Sequence, residues 1–422
     1  MLTGTLLRSS SVTVMAVLLA AFIGLLLNDT LTSFVTHGYG PSALGKASMA
    51  LPFAAAACAG SAAWEAARLR RGRVLDQAPV RGRLTIALPV LVPVWTMGVV
   101  GLGIALAISA TAVGALPPFS HLGMAAALGP LLAATTLAGY VLGSLLPGIA
   151  AAPIALLAGF FFTAFPASWE SAWPRQLVAG GFGSCCSIGS VIDPTAVWAA
   201  VLFAGGVCGA ALILIHRRSA RHAVLALVLL AAGAAGAVAL AKPLGYEPVI
   251  ARDTSELVCD AKARPRICLW PEVADDATVI QRTRTYATRI TEAGLPVPAT
   301  LTQNRKAAPA ADTAVFGINE NPRADDLAAN LASTALPALP ACARTTGKFA
   351  AYPARAPLMA WIIAIATHNP PNPGRTNPQE TALVRKVLDQ PHQTQLAWYE
   401  MNRQALTTCD QPPHLDIPGA AR

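Results

Sequence analysis

The sequence predicts an all-α transmembrane helical bundle of about seven spans, followed by a small extracytoplasmic α/β domain. Three observations carry that prediction. Charged residues make up only 13% of the 422-residue chain, about half the roughly 25% usual in globular proteins. The apolar residues of the first 241 positions fall into seven blocks, and beyond Lys242 such blocks disappear. The division expected is therefore a membrane domain at 1–242 and a soluble domain at 243–422.

The seven blocks lie at about 12–28, 47–64, 85–107, 123–146, 149–165, 195–215 and 223–241. Each approaches or exceeds the ~17–25 residues that cross a bilayer, and none contains Asp, Glu, Lys, Arg or His. The first follows Arg8 in the manner of a signal peptide, but its apolar run is long for one. Leu27-Asn28-Asp29 also makes a poor cleavage site, so an uncleaved helix is expected.

The net charge of +9 invites a nucleic-acid partner, and its distribution removes one. Residues 1–242 carry 13 Lys/Arg against 5 Asp/Glu, while residues 243–422 carry 18 against 17. The excess belongs to the membrane half, in two clusters: Arg68, Arg70, Arg71, Arg73, Arg81 and Arg83, then Arg217, Arg218 and Arg221. Basic residues beside spans stay in the cytoplasm, so the clusters are orientation signals first and contacts for anionic lipid or a cytoplasmic partner second. With both inside, the N-terminus is inside and the loops at 29–46, 108–122 and 166–194 are outside. Everything after Lys242 is then outside as well. The turn at Pro147-Gly148 must lie inside without a basic residue of its own.

"GYGPSALGKAS" (38–48) matches Gly-x-x-x-x-Gly-Lys at Gly40, Gly45 and Lys46. A phosphate loop also needs a Ser or Thr after the lysine, to hold magnesium, and a strand before it. Position 47 is alanine, and the expected location is outside, so the glycines are read as turn residues. Within the blocks, the absence of ionisable residues speaks against proton- or sodium-coupled transport, although backbone carbonyls can build sodium sites. Gly139/Gly143, Gly205/Gly209 and Gly233/Gly236 have spacings that let helices approach closely. Pro52, Pro89, Pro93, Pro130 and Pro153 predict kinks.

In the outer half, "RICLWPE" (266–272) reads as a strand ending at Pro271, followed by an amphipathic helix that stops at Gly294. "DTAVFGI" (312–318) reads as a second strand, and helices are expected near 323–333, 356–367, 378–388 and 391–407. "APLMAWIIAIA" is too short to span and is read as a core helix. Cys58 and Cys208 lie within spans, whereas Cys185, Cys186, Cys259, Cys268, Cys342 and Cys409 all fall outside, an even number that points to disulfides. Six cysteines permit 15 pairings. Cys259–Cys268 is preferred as a local loop and Cys342–Cys409 as a staple, leaving Cys185 and Cys186 to pair together or with partners elsewhere. No C-x-x-C, H-E-x-x-H or G-x-S-x-G occurs, and His368 and His392 read as surface residues in turns. No catalytic, metal or cofactor-binding residue is expected, and no cofactor.

"AAWEAARLRRGRVLDQAPVRGRL" after the second block, the vicinal "SCCS", the C-x8-C of Cys259 and Cys268, and the closing Trp398 and Cys409 together resemble a family. It is that of actinobacterial multipass membrane proteins found with ABC-type ATPases, permease-like subunits with an extracytoplasmic C-terminal domain. The chain departs from that pattern at Trp270-Pro271, where His-Pro is expected, so no role of that histidine carries over. The resemblance implies a permease-like subunit whose ATP hydrolysis sits in a separate cytoplasmic ATPase. Lipid surrounds it, and a second membrane subunit or second copy is a further expected partner. The alternative is a non-transporting anchor that presents a disulfide-stapled recognition or immunity domain. A third reading, an enzyme acting on lipid or cell-wall material, has no motif behind it.

Overall fold

The computed structural model describes residues 11–73, 82–217, 219–260, 264–304, 312–318, 324–345, 349–371 and 377–417. It forms two compact units, Met1–Arg252 and Asp253–Arg422.

In the first unit the apolar blocks become helices, because an apolar segment in lipid can satisfy its backbone only within itself. They are α1 (Ser11–Leu25), α2 (Asn28–Thr32), α3 (Gly40–Ser48), α4 (Leu51–Arg71) and α5 (Arg83–Val113). After these come α6 (Gly123–Leu145), α7 (Gly148–Ala164), α8 (Trp173–Leu177), α9 (Pro194–His216) and α10 (Ala220–Ala241). Five of them, α5, α6, α7 with its extension to Ser168, α9 and α10, are long and apolar enough to cross a membrane. A sixth candidate is the pair α3 and α4, bent by 44°, and α1 is a shorter apolar helix of 15 residues. The chain is a multi-pass membrane protein.

Small residues set the helix spacing. A β-carbon on Gly139 would lie 2.4 Å from the Ala59 carbonyl oxygen, and one on Gly143 would lie 2.3 Å from that of Ala63. Thus α4 and α6 run parallel in backbone contact. Between α9 and α10 the close pair is Gly206 against Gly233, with a Gly206 β-carbon only 3.1 Å from the Gly233 α-carbon. The expected Gly205 faces open space, Gly209 meets a Leu229 side chain and Gly236 is loosely packed; the contact falls one residue off the predicted spacing. Pro89, Pro93, Pro130 and Pro153 lie inside helices, whereas Pro52 sits in the first turn of α4, where its missing N–H leaves no carbonyl unpaired.

The first unit continues ten residues beyond Lys242 because β1 (Ser190–Ile192) pairs antiparallel with β2 (Val249–Ala251), Ser190 opposite Ala251. The second unit is built on a four-stranded sheet of β3 (Val258–Asp260), β4 (Arg266–Leu269), β5 (Thr300–Thr302) and β6 (Thr313–Val315), in that order. β3 is antiparallel to β4, and β4, β5 and β6 are parallel. The crossover from β4 to β5 runs through α11 (Pro271–Ala274) and α12 (Ala277–Glu292). The predicted single helix breaks at Asp275-Asp276, where the Asp276 carboxylate accepts from the Thr278 N–H at 2.9 Å as an N-cap. After β6 come α13 (Ala324–Thr334), α14 (Ala341–Thr345), α15 (Tyr352–Thr367), α16 (Pro378–Leu388) and α17 (His392–Ala405).

Gln303 ties the carboxyl ends of the parallel strands together. It accepts from the Trp270 N–H at 2.7 Å and donates to the Ile318 carbonyl at 2.9 Å. "APLMAWIIAIA" is part of α15 and buries Leu358, Trp361 and Ile362. Trp361 packs against Trp398 and Tyr399 with centroids 6.1 and 5.5 Å apart, within the range of favourable aromatic pairs.

Candidate functional site

The two ends of the membrane bundle differ in chemistry, and α4 separates them by about 30 Å at 1.5 Å per residue. At its Leu51 end sits the vicinal pair, Cys185 bonded to Cys186 and both buried. Helix α3, with all but Lys46 of its nine residues buried, lies directly on this turn. A β-carbon at Gly45 would be 2.0 Å from the Cys185 carbonyl oxygen, and one at Gly40 would be 2.3 Å from that of Leu116. Of the glycines in "GYGPSALGK", Gly38 is a turn residue with φ 75°, whereas Gly40 and Gly45 are not. They lie within a buried helix that only glycine lets approach its neighbours this closely.

Polar groups fix the same end. The Thr36 hydroxyl donates to the Cys186 carbonyl at 3.1 Å, and the Thr36 N–H donates to the Ser42 hydroxyl at 3.0 Å. Tyr39, buried, donates from its hydroxyl to the Ser190 carbonyl at 2.9 Å. The Arg252 guanidinium lies 4.8 Å from the centre of the Tyr39 ring and donates to the Ile188 carbonyl at 3.3 Å. Buried, desolvated cation–π contacts of this kind contribute about 2 kcal/mol. Gln176, fully buried, donates to the Gly245 carbonyl at 2.8 Å. The broken helix, the vicinal disulfide and the β1–β2 ribbon thus form one rigid end.

The other end carries the arginines. The expectation of no ionisable group in a span needs correction here. Helix α4 runs past residue 64 and carries Glu65 into the bundle at 0% exposure. One oxygen accepts from the N–H and hydroxyl of Ser11, both at 3.0 Å, which caps the start of α1. The other faces Arg68 at 3.1 Å. Arg70 donates to the carbonyls of Ser144 and Leu146 at the end of α6, where a cation offsets the helix dipole. Two of the nine arginines singled out by sequence are thus committed to holding the bundle. Arg71, its guanidinium 5.4 Å from the centre of the Trp64 ring, and Arg73, Arg83, Arg217 and Arg221 are exposed. Arg81 and Arg218 lie outside the described residues.

In the second unit Cys259 is bonded to Cys268 across the β3–β4 pair, where the two residues stand opposite each other. Cys342 of α14 is bonded to Cys409, just beyond α17, across 67 residues. Cys58 and Cys208 are free thiols inside the bundle. Arg284 pairs with Asp260, which ties α12 to β3. Among the described residues, no group of three or more His, Cys, Asp and Glu is placed to hold a metal ion.

Residues 267–409 match a family described as a domain of unknown function (DUF7224). No curated protein and no solved structure matches the chain.

Proposed function

We propose that the chain is the membrane-spanning, permease-like subunit of an ABC-type transport system, working with a separate cytoplasmic ATPase. The observation that carries this reading is the polarity of the bundle. One end presents Arg71, Arg73, Arg83, Arg217 and Arg221 to solvent, and the opposite end carries a disulfide. Basic residues beside spans are retained in the cytoplasm, and disulfides persist in oxidising compartments. The two criteria are independent and give the same orientation. Seven spans, with α1 as the first and α3–α4 as the second, then put the N-terminus inside. The second unit, which begins directly after Arg252, is outside.

On this reading the exposed arginines are the docking surface for an acidic face of the ATPase. Arg68 and Arg70 transmit its closure into α1, α4 and α6, to which they are bound. The rigid end formed by α3, the disulfide turn and the β1–β2 ribbon then rocks as one body. Affinity purification of the full chain from its own cell should bring down an ATPase. Charge reversal at Arg83 and Arg217 should release it while the chain remains in the membrane. Recovery of the chain without an ATPase would favour the anchor reading, in which the self-contained second unit carries the whole activity.

A further inference from the structure

Arg289, Glu292, His368 and His392 are scattered over a hundred residues of sequence, yet the second unit brings all four to the rim of one cavity of about 550 Å³. Its floor is apolar, formed by Ala364, Ile365 and Leu388. Cavities of ~300–1,000 Å³ with an apolar lining and a few polar groups are the usual form of a small-molecule site.

Three helix ends build the rim. Arg289 and Glu292 stand three apart at the end of α12, on one face. His368 is the left-handed residue that terminates α15, with φ 56°, and His392 opens α17. The walls are fixed by hydrogen bonds that leave the rim free. Arg289 donates through Nη1 to the Ala366 carbonyl at 2.8 Å. This satisfies an orphan carbonyl of α15 and holds the guanidinium by one nitrogen. Gln395 is fully engaged, accepting from Trp361 Nε1 at 2.9 Å and donating to the carbonyls of Gln390 and Leu388 at 2.8 and 3.1 Å. The Glu292, His368 and His392 side chains make no hydrogen bond or ion pair with any described residue, and Glu292 and Arg289 are not paired with each other despite their spacing.

A cation and an anion on one helix face, neither paired with an opposite charge among the described residues, above an apolar floor, call for a ligand with both charges and an apolar group. We infer that this cavity binds a small zwitterion, a free amino acid or short peptide with an apolar side chain. Its carboxylate is held by Arg289, its ammonium by Glu292 and its side chain by the floor, and the two imidazoles supply hydrogen bonds at the rim. The site stands independently of the transport reading above.

The test is calorimetric titration of the full chain in detergent with L-leucine and glycyl-L-leucine, against N-acetyl-glycyl-L-leucine and glycyl-L-leucinamide. At least one free zwitterion should bind, and the stronger of the two identifies the source. Each capped peptide should bind about 10-fold or more weaker, the scale of one charge-assisted hydrogen bond. Glu292→Gln, at an exposed and unpartnered position, should abolish the distinction between free and acetylated peptide. Arg289→Gln should abolish that between acid and amide. Equal binding of capped and free forms, an unchanged affinity in Glu292→Gln, or no binding of any probe at millimolar concentration would overturn the inference.

Discussion

The membrane unit and the α/β unit are held together by different means. Along α4 nine of the fourteen buried residues are alanine, the others being Leu51, Cys58, Gly60, Ser61 and Glu65, while elsewhere in the unit large apolar side chains such as Val224, Leu227 and Phe162 face outward. In the α/β unit the largest buried side chains are aromatic: Trp270, Trp361, Trp398 and Phe316. The difference follows from the solvent. Lipid gives apolar side chains no reason to turn inward, so helices in a membrane associate by close backbone approach and a few polar links. Water drives aromatic area inside, and a unit this small also draws on disulfides.

The largest effect expected from breaking one side of this comparison is at Cys342–Cys409. The bond closes a loop across 67 residues, and the chain-entropy relation gives about 4 kcal/mol for a loop of that size. Replacing both cysteines by serine should lower the unfolding midpoint of the second unit substantially, as read by near-ultraviolet circular dichroism of its tryptophans, and leave the helical signal of the bundle in place. Cys185–Cys186 joins neighbours in sequence and so constrains almost no loop. Its loss should leave bundle stability within about 1 kcal/mol by the same relation.

On the membrane side, Glu65→Ala takes one partner from Arg68 and the cap from α1, because one carboxylate serves both. Removing one member of a buried pair costs about 3–5 kcal/mol; with Arg68 about a third exposed, the low end, about 3, is expected. Heat-induced aggregation of the full chain in detergent measures it, and an unchanged midpoint would show that the carboxylate is dispensable. Gly143→Ala tests backbone contact itself. Its methyl would meet the Ala63 carbonyl of a neighbouring helix, which cannot swing aside, and overpacking of this kind costs about 1–3 kcal/mol. Gly103→Ala is the control, since nothing lies within 4 Å of a β-carbon there.

Legibility from sequence divides along the same line. Helices were readable wherever the pattern was long: α16 covers residues 378–388 as expected, and α15 extends the expected 356–367 by four residues at its start. Three things were hidden. The β1–β2 ribbon joins three-residue segments whose partners lie 57 to 61 positions apart, and strands that short have no periodicity to detect. Helix α3 was hidden by its own composition, since glycine, proline and serine signal turns in water. Inside a bundle the same residues signal close approach. The rim of the cavity was equally hidden, because His368 and His392 do sit at helix ends in turn-rich sequence; only tertiary packing brings Arg289 and Glu292 beside them.

The smallest expected effect isolates one hydroxyl of the aromatic core. Tyr399 donates to the Ala335 carbonyl at 2.7 Å, and burial pushes its pKa up to about 12, against a smaller downward pull from Arg403. A raised value means that the folded state prefers the neutral phenol. Its contribution to stability is fully present below the unfolded value near 10 and is lost as pH rises through about 12. Tyr399→Phe should therefore cost about 1 kcal/mol at neutral pH, the net value of one hydrogen bond, and flatten the loss of stability between pH 10 and 12. The acid limb rests on other groups. Glu400 is held below the usual carboxylate range by its hydrogen bonds from Arg403, and Asp276 by those from Thr278. Both contributions are present above that range and lost as pH falls, so the acid limb should be the same in wild type and Tyr399→Phe. If the variant instead changed both limbs alike, the aromatic cluster would be acting through general packing and not through this hydroxyl.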